Sequence, residues 1–158
     1  MKEELKNILD DVETELLNIQ TWINGNKMDS NVRYLNYYSV IRASGTIEQV
    51  MKSMIYEKLT ENASEETKKY LEINILESSA NPSTGVISNY LQSLNKNWKQ
   101  DFDNYLQANN DKKSDLNSLV KLRNTFAHGN SFSIGIDTVI MYYRSGCSIL
   151  DNLYQIIY

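Results

Sequence analysis

The stretch LKNILDDVETELLNIQTWI, residues 5–23, decides the fold class, because its apolar residues recur at intervals of three and four. A helix places residues at that spacing on one face, whereas a half-buried strand needs strict alternation. The apolar set comprises Leu5, Ile8, Leu9, Val12, Leu16, Ile19 and Ile23. The pattern therefore predicts a helix from Glu3 to Ile23, which the glycine and asparagines of segment 24–30 bring to an end.

The same helical pattern continues along the chain, and residues that break helices are few: one proline and six glycines. No stretch alternates as a strand does, and no segment repeats. The further predicted helices cover Val32–Thr60, Ser64–Ser78, Ser83–Gln107, Lys113–Ala127 and Ser133–Ile157. We therefore expect an all-α protein, a mostly antiparallel bundle of five to six helices that forms a single domain over residues 1–158.

The composition narrows the class of protein further. A single cysteine, Cys147, leaves no partner for an internal disulfide. No apolar run approaches the ~20 residues that cross a bilayer, and no signal-type stretch follows the charged N-terminus, so we expect a cytoplasmic protein without a membrane anchor. The formal net charge of −4 argues against a general nucleic-acid coat, which depends on many phosphate contacts, but it is compatible with a small catalytic site for RNA.

Residues with useful chemistry concentrate in the segment KLRNTFAHG, residues 121–129. Arg123 continues an apolar helix stripe, so its permanently charged guanidinium needs a partner or an anion. Asn124 and His128 stand four residues apart, which makes their side chains neighbours on an adjacent stripe. His128 is also the only histidine of the chain.

These groups suit cleavage of an RNA backbone by the RNA's own 2′-hydroxyl group. That reaction needs a base, an acid and a cation for the crowded phosphate, and it needs no metal ion. One histidine is too few for both proton transfers, but a two-fold dimer supplies a second. Arg123 and His128 are about 140° apart around a regular helix, so they converge only if the helix distorts near Gly129 or the site forms across a dimer seam.

The string RNTFAH, residues 123–128, resembles the Arg-x4-6-His motif of HEPN domains, in which a polar residue follows the arginine. The trailing Gly129 and the order of elements, with long helices first and one long helix after the motif, are similar as well. Within that superfamily the chain resembles small HEPN proteins of prokaryotic defence and toxin–antitoxin systems. The resemblance implies an all-α homodimer that cleaves RNA without metal or cofactor and leaves a 2′,3′-cyclic phosphate.

By the same resemblance, Arg123 would hold the scissile phosphate, Asn124 would orient it and His128 would transfer protons. The implied partners are an RNA substrate, a second copy of the chain and an antitoxin protein, and no membrane. Some HEPN domains have lost their activity, so a catalytically inactive module that binds protein or nucleotide is the alternative function. A plain dimeric helical scaffold is the third.

Two further residues have two interpretations each. Glu48 lies on the inner stripe of the second helix, where a carboxylate is costly unless it is paired. That stripe comprises Val40, Ile41, Ser44, Ile47, Glu48, Met51, Met54 and Ile55. Glu48 either orients Arg123 or His128, or forms a core salt bridge, for example with Arg42 or Arg144. Lys121 either guides the phosphate backbone of RNA or is an ordinary solvated lysine.

Overall fold

The computed structural model describes all residues 1–158; 81% of them are helical and none lies in a strand. The seven helices are α1 (Glu3–Gly25), α2 (Val32–Thr60), α3 (Glu65–Leu71), α4 (Thr84–Leu94), α5 (Lys96–Ala108), α6 (Asn110–Ala127) and α7 (Ile136–Ile157). A π-helical turn over Glu72–Leu76 extends α3. The all-α prediction is confirmed, and the seven helices slightly exceed the expected five to six.

The additional helix arises because the predicted helix Ser83–Gln107 is two helices. Asn95 has an extended backbone, with φ −155° and ψ 118°, and it separates α4 from α5. Its side-chain oxygen accepts hydrogen bonds from the backbone N–H groups of Asn97 and Trp98, at 2.8 and 3.4 Å. Asn95 is therefore the N-cap of α5, and an asparagine in that position favours a helix start over a helix interior.

Two helix starts differ from the expected ones by three residues. The start of α6 is at Asn110 rather than Lys113, so that Asn109 alone connects it to α5. The start of α7 is at Ile136 rather than Ser133, which leaves a longer connector after α6. That connector has a role in the candidate site described below.

The long helix α7 lies in the middle of the bundle and contacts α1, α2, α5 and α6. The buried hydroxyl of Tyr143 donates to the carbonyl of Leu9 in α1, at 2.9 Å. A Cβ atom at Gly146 would overlap Ile47 of α2, so the missing side chain allows these two helices to approach closely. None of the helices combines the length and apolar character needed to span a membrane.

The inner stripe of α2 is confirmed except at one position. Ile41 is 42% exposed, whereas Val40, Ile47 and Met51 are fully buried. At about 100° per residue, Ile41 is at the edge of the stripe rather than at its centre. Glu48 stands near the same edge but is shielded, with 13% of its side chain exposed.

Candidate functional site

The C-terminus of α6 carries the motif and ends in a specific backbone geometry. Gly129 has a positive φ of 77° and donates its N–H to the carbonyl of Phe126, at 2.9 Å. The N–H of Asn130 bonds to the carbonyl of Thr125, at 3.1 Å. These two bonds define a Schellman motif, in which His128 is the last residue before the left-handed glycine. The helix therefore ends at Ala127 with His128 as its C-cap, and the His128 side chain is exposed.

This geometry predicts opposite effects of alanine at two glycines. At Gly129 a side chain would be strained by the left-handed backbone, so Gly129→Ala is expected to lower the free energy of unfolding by about 1–2 kcal/mol. Gly45, an exposed position inside α2 with open space around it, is the matched control. Gly45→Ala is expected to raise stability by about 0.5–1 kcal/mol. Urea unfolding of both variants checks the prediction, and a neutral Gly129→Ala would contradict the capping geometry.

His128 and Asn124 line one polar cleft of about 490 Å³. The other lining residues are Asn81, Ser83, Asn117, Val120, Lys121, Thr125 and Asn130. None of them is acidic, although the chain contains 20 aspartate and glutamate residues. The cleft therefore offers amides, hydroxyls, an imidazole and one ammonium group to a ligand.

Lys121 forms no salt bridge and borders a second cleft of about 590 Å³ on its other side. That second cleft also contains no acidic residue; its lining includes Thr138 and Tyr142 of α7. Lys121 and Thr125 thus form a ridge between two clefts that both lack carboxylates. A phosphate lying along this ridge would meet positive charge and no opposing negative charge.

Arg123 does not line the cleft of His128. Its side chain is one-third exposed; Nη2 lies 3.9 Å from the Glu48 carboxylate, and Nη1 donates to the Asn124 side-chain oxygen at 3.4 Å. The angular separation expected from the five-residue spacing is therefore present in the folded chain. One copy of the protein brings together Lys121, Asn124 and His128 but keeps Arg123 outside their cleft.

Glu48 contacts Arg123, as one interpretation of the sequence expected, but its main partner is Lys52. The Lys52 ammonium is 2.7 Å from Oε1 of Glu48, and only 9% of its side chain is exposed. The suggested partners Arg42 and Arg144 pair instead with Glu15 and Glu13 of α1. Lys52 stands four residues after Glu48, so the pair forms within a single helix.

The Glu48–Lys52 pair also fastens the connector between α3 and α4. Oε1 of Glu48 accepts the backbone N–H of Ala80 at 2.9 Å, and the Lys52 ammonium donates to the carbonyl of Ser78. Asn81, the next residue, is part of the wall of the His128 cleft. The Glu48 carboxylate therefore fixes the backbone next to Asn81 and also contacts Arg123.

An aromatic cluster packs the end of α6 and the connector after it against α2. The ring of Phe126 lies 5.1 Å from that of Tyr37 in α2, and the ring of Phe132 packs against Tyr37 edge-on at 4.7 Å. The Tyr37 hydroxyl donates to the carbonyl of Phe132, at 3.2 Å. These contacts dock the connector after His128 onto α2, and so they position the end of α6.

The sequence did not single out the residues that complete the cleft. Asn117 lines the cleft and is bonded to the buried Thr84: the Asn117 side-chain oxygen accepts from the N–H and the hydroxyl of Thr84, at 3.0 and 3.1 Å. Ser83 caps α4 by accepting the N–H of Val86 at 3.3 Å. The residue types of Ser83 and Thr84 indicate the start of a helix, but they do not indicate that this helix start lies near α6.

No three His, Cys, Asp or Glu side chains are grouped so as to hold a metal ion.

The chain was compared with protein families, curated proteins and solved structures. No curated protein and no solved structure matches the chain. The family model described as RiboL-PSP-HEPN matches residues 3–158, which is nearly the whole chain. RNase-type and nucleotide-binding modules are the two kinds of function that this match suggests. On the strength of a match from α1 to the end of α7, the chain belongs to the RiboL-PSP-HEPN family of HEPN domains.

Proposed function

We propose that the protein is a metal-independent endoribonuclease that acts as a homodimer. The observation that carries this proposal is the cleft at the end of α6, which His128, Asn124 and Lys121 line and no acidic side chain lines. An anionic backbone can enter such a cleft without repulsion, and the imidazole is exposed to it. The family match favours a nucleotide or RNA as the ligand of this chain.

In the proposed reaction, one imidazole removes the proton of the ribose 2′-hydroxyl group and a second protonates the 5′-oxygen as it leaves. The new bond joins the 2′-oxygen to phosphorus, and the bond from phosphorus to the 5′-oxygen breaks. The products are a 2′,3′-cyclic phosphate and a 5′-hydroxyl end. One chain supplies His128 only once, so the second imidazole comes from a second copy.

The position of Arg123 also favours a two-copy site. Its side chain is partly exposed and lies outside the His128 cleft of its own chain. In a two-fold dimer each arginine can face the phosphate held by both motifs, while Glu48 fixes its direction. Arg123 then stabilises the negative charge that develops on the phosphate.

The cellular setting is part of the same proposal. An enzyme that cuts cellular or phage RNA suits a cytoplasmic toxin or antiviral defence effector, and such a toxin requires an antitoxin protein as partner. Expression of the wild-type chain in a bacterial host would then arrest growth and degrade RNA.

The proposal is tested with purified protein and RNA in excess EDTA. The wild type is expected to cleave, because no step needs a metal ion. Arg123→Ala is expected to reduce cleavage by about 10²- to 10³-fold, as loss of one charge-stabilising donor does. Arg33→Ala is the matched control, because Arg33 is exposed near the start of α2 and bonds only to Tyr34. Cleavage that stops in EDTA would overturn the mechanism.

The second candidate is an inactive module that binds nucleotides. The placement of Arg123 outside the His128 cleft favours it, because a single copy then lacks the guanidinium group beside the imidazole. This candidate predicts that RNA or nucleotides bind to the wild type without cleavage. It also predicts that Arg123→Ala leaves RNA intact to the same extent as the wild type.

A further inference from the structure

We propose that the cleft beside His128 holds a nucleobase and that Asn81 selects it; this inference rests on the ribonuclease function proposed above. Asn81 precedes α4, outside the motif, and its amide forms part of the cleft wall. It would act as a specificity-determining residue, which chooses the base next to the bond that is cut.

The first argument is an unmet hydrogen-bonding requirement. The side-chain oxygen of Asn81 is buried and accepts no hydrogen bond within the protein. Two other amides of the cleft have partners: Asn117 is bonded to Thr84, and the oxygen of Asn124 accepts from Arg123. Three other buried side-chain oxygens, those of Asn36, Ser44 and Asn152, also lack a partner, but only Asn81 is a residue of the His128 cleft. Buried polar groups nearly always have a partner, and at this cleft a ligand can supply it once the amide rotates toward the opening.

The second argument is that Asn81 is held in place before any ligand arrives. Its own carbonyl accepts the N–H of Ser83 at 2.8 Å, and the proline between them restricts the backbone. On the other side, Ala80 is bonded to the Glu48 carboxylate at 2.9 Å. A recognition group on a fixed backbone loses little entropy on binding, which suits a residue that selects a ligand.

The third argument concerns the chemistry of the ligand. The free oxygen of Asn81 needs a hydrogen-bond donor, and a phosphate diester has none. The edges of nucleobases carry amino or imino donors beside acceptors, and an asparagine amide matches such a pair with two hydrogen bonds. The amide turns by half a rotation to exchange its oxygen and nitrogen, so both groups are available to a base. The cleft volume of about 490 Å³ suits a small ligand of this kind.

The inference is tested by mapping cleavage sites of the wild type and of Asn81→Ala on an RNA of random sequence. The wild type is expected to favour one base beside the cut, and Asn81→Ala is expected to reduce that preference about tenfold, the range of one bidentate base contact. Asn81→Asp, which replaces the amide donor by an acceptor, is expected to change the favoured base. Asn7→Ala, at an exposed position of α1, is the control and should keep the wild-type preference. An unchanged base distribution in Asn81→Ala would overturn the inference while leaving the ribonuclease function intact.

A second measurement separates this inference from the enzyme. The four 5′-nucleoside monophosphates are titrated into the wild type, and the side-chain amide signals of Asn81 are followed by NMR, with assignment from their loss in Asn81→Ala. We expect one nucleotide to shift these signals at lower concentration than the other three. Equal or absent shifts with all four would contradict base selection. A wild type that binds selectively but cuts no RNA would refute the proposed enzyme and keep the base site.

Discussion

Replacing His128 by alanine is expected to lower the rate of RNA cleavage by about 10²- to 10⁴-fold, the usual contribution of a general acid or base. The imidazole is the only one in the chain, so no neighbouring histidine can replace it. Its side chain is exposed at the end of α6, and no hydrogen bond or ion pair ties it to the protein. The fold should therefore survive the substitution, and the loss should be one of chemistry.

Single-turnover cleavage of a labelled RNA measures this effect, with thermal unfolding as the check on the fold. His128→Ala should retain the wild-type melting temperature within a few degrees. Thr21→Ala is the matched control, because Thr21 is exposed in α1, outside the cleft, and its hydroxyl bonds only to the carbonyl of Leu17; this variant should cleave at near the wild-type rate. A rate for His128→Ala within threefold of the wild type would remove the imidazole from the mechanism.

The second large effect concerns stability rather than rate. Glu48→Leu is expected to cost about 3–5 kcal/mol of unfolding free energy, because it leaves the ammonium group of Lys52 buried without its counter-charge. The same change removes the acceptor of the Ala80 N–H and so loosens the connector that holds Asn81. For a chain of this size a loss of that magnitude corresponds to a fall of roughly 10 °C in melting temperature.

A double-mutant cycle separates the ion pair from the packing around it. Lys52→Met alone should also destabilise the protein, because Glu48 keeps only the partly exposed Arg123 at 3.9 Å as a cationic partner. Glu48→Leu combined with Lys52→Met should cost less than the sum of the single changes, since neither leaves a buried charge alone. The free energies come from urea unfolding. Strictly additive losses would show that the two side chains do not stabilise each other.

The fold was predictable from the sequence because helical spacing reports which face of each helix is buried. The stripe of α1 is an example: Leu5, Leu9, Val12 and Leu16 are all buried. The break at Asn95 was missed because apolar residues continue at helical spacing across it, from Leu94 to Trp98. A capping asparagine changes the backbone direction without interrupting that spacing.

The candidate site was predictable only for residues that lie close together in the sequence. The segment 121–129 forms one continuous piece of α6, so Asn124 and His128 were correctly expected as neighbours. The rest depends on how distant parts of the chain pack. Lys52 emerged as the partner of Glu48 only in the structure, although its spacing of four residues allowed the pair. Asn81 is brought to the cleft by the connector before α4, which no periodicity describes.

The most direct measurement of the central claim is the chemical identity of the RNA ends that the purified wild type produces in excess EDTA. Attack by the 2′-hydroxyl group predicts a 2′,3′-cyclic phosphate on one fragment and a 5′-hydroxyl on the other, both detectable by mass spectrometry. Fragments that carry a 3′-hydroxyl and a 5′-phosphate would come from attack by water, and they would contradict the account.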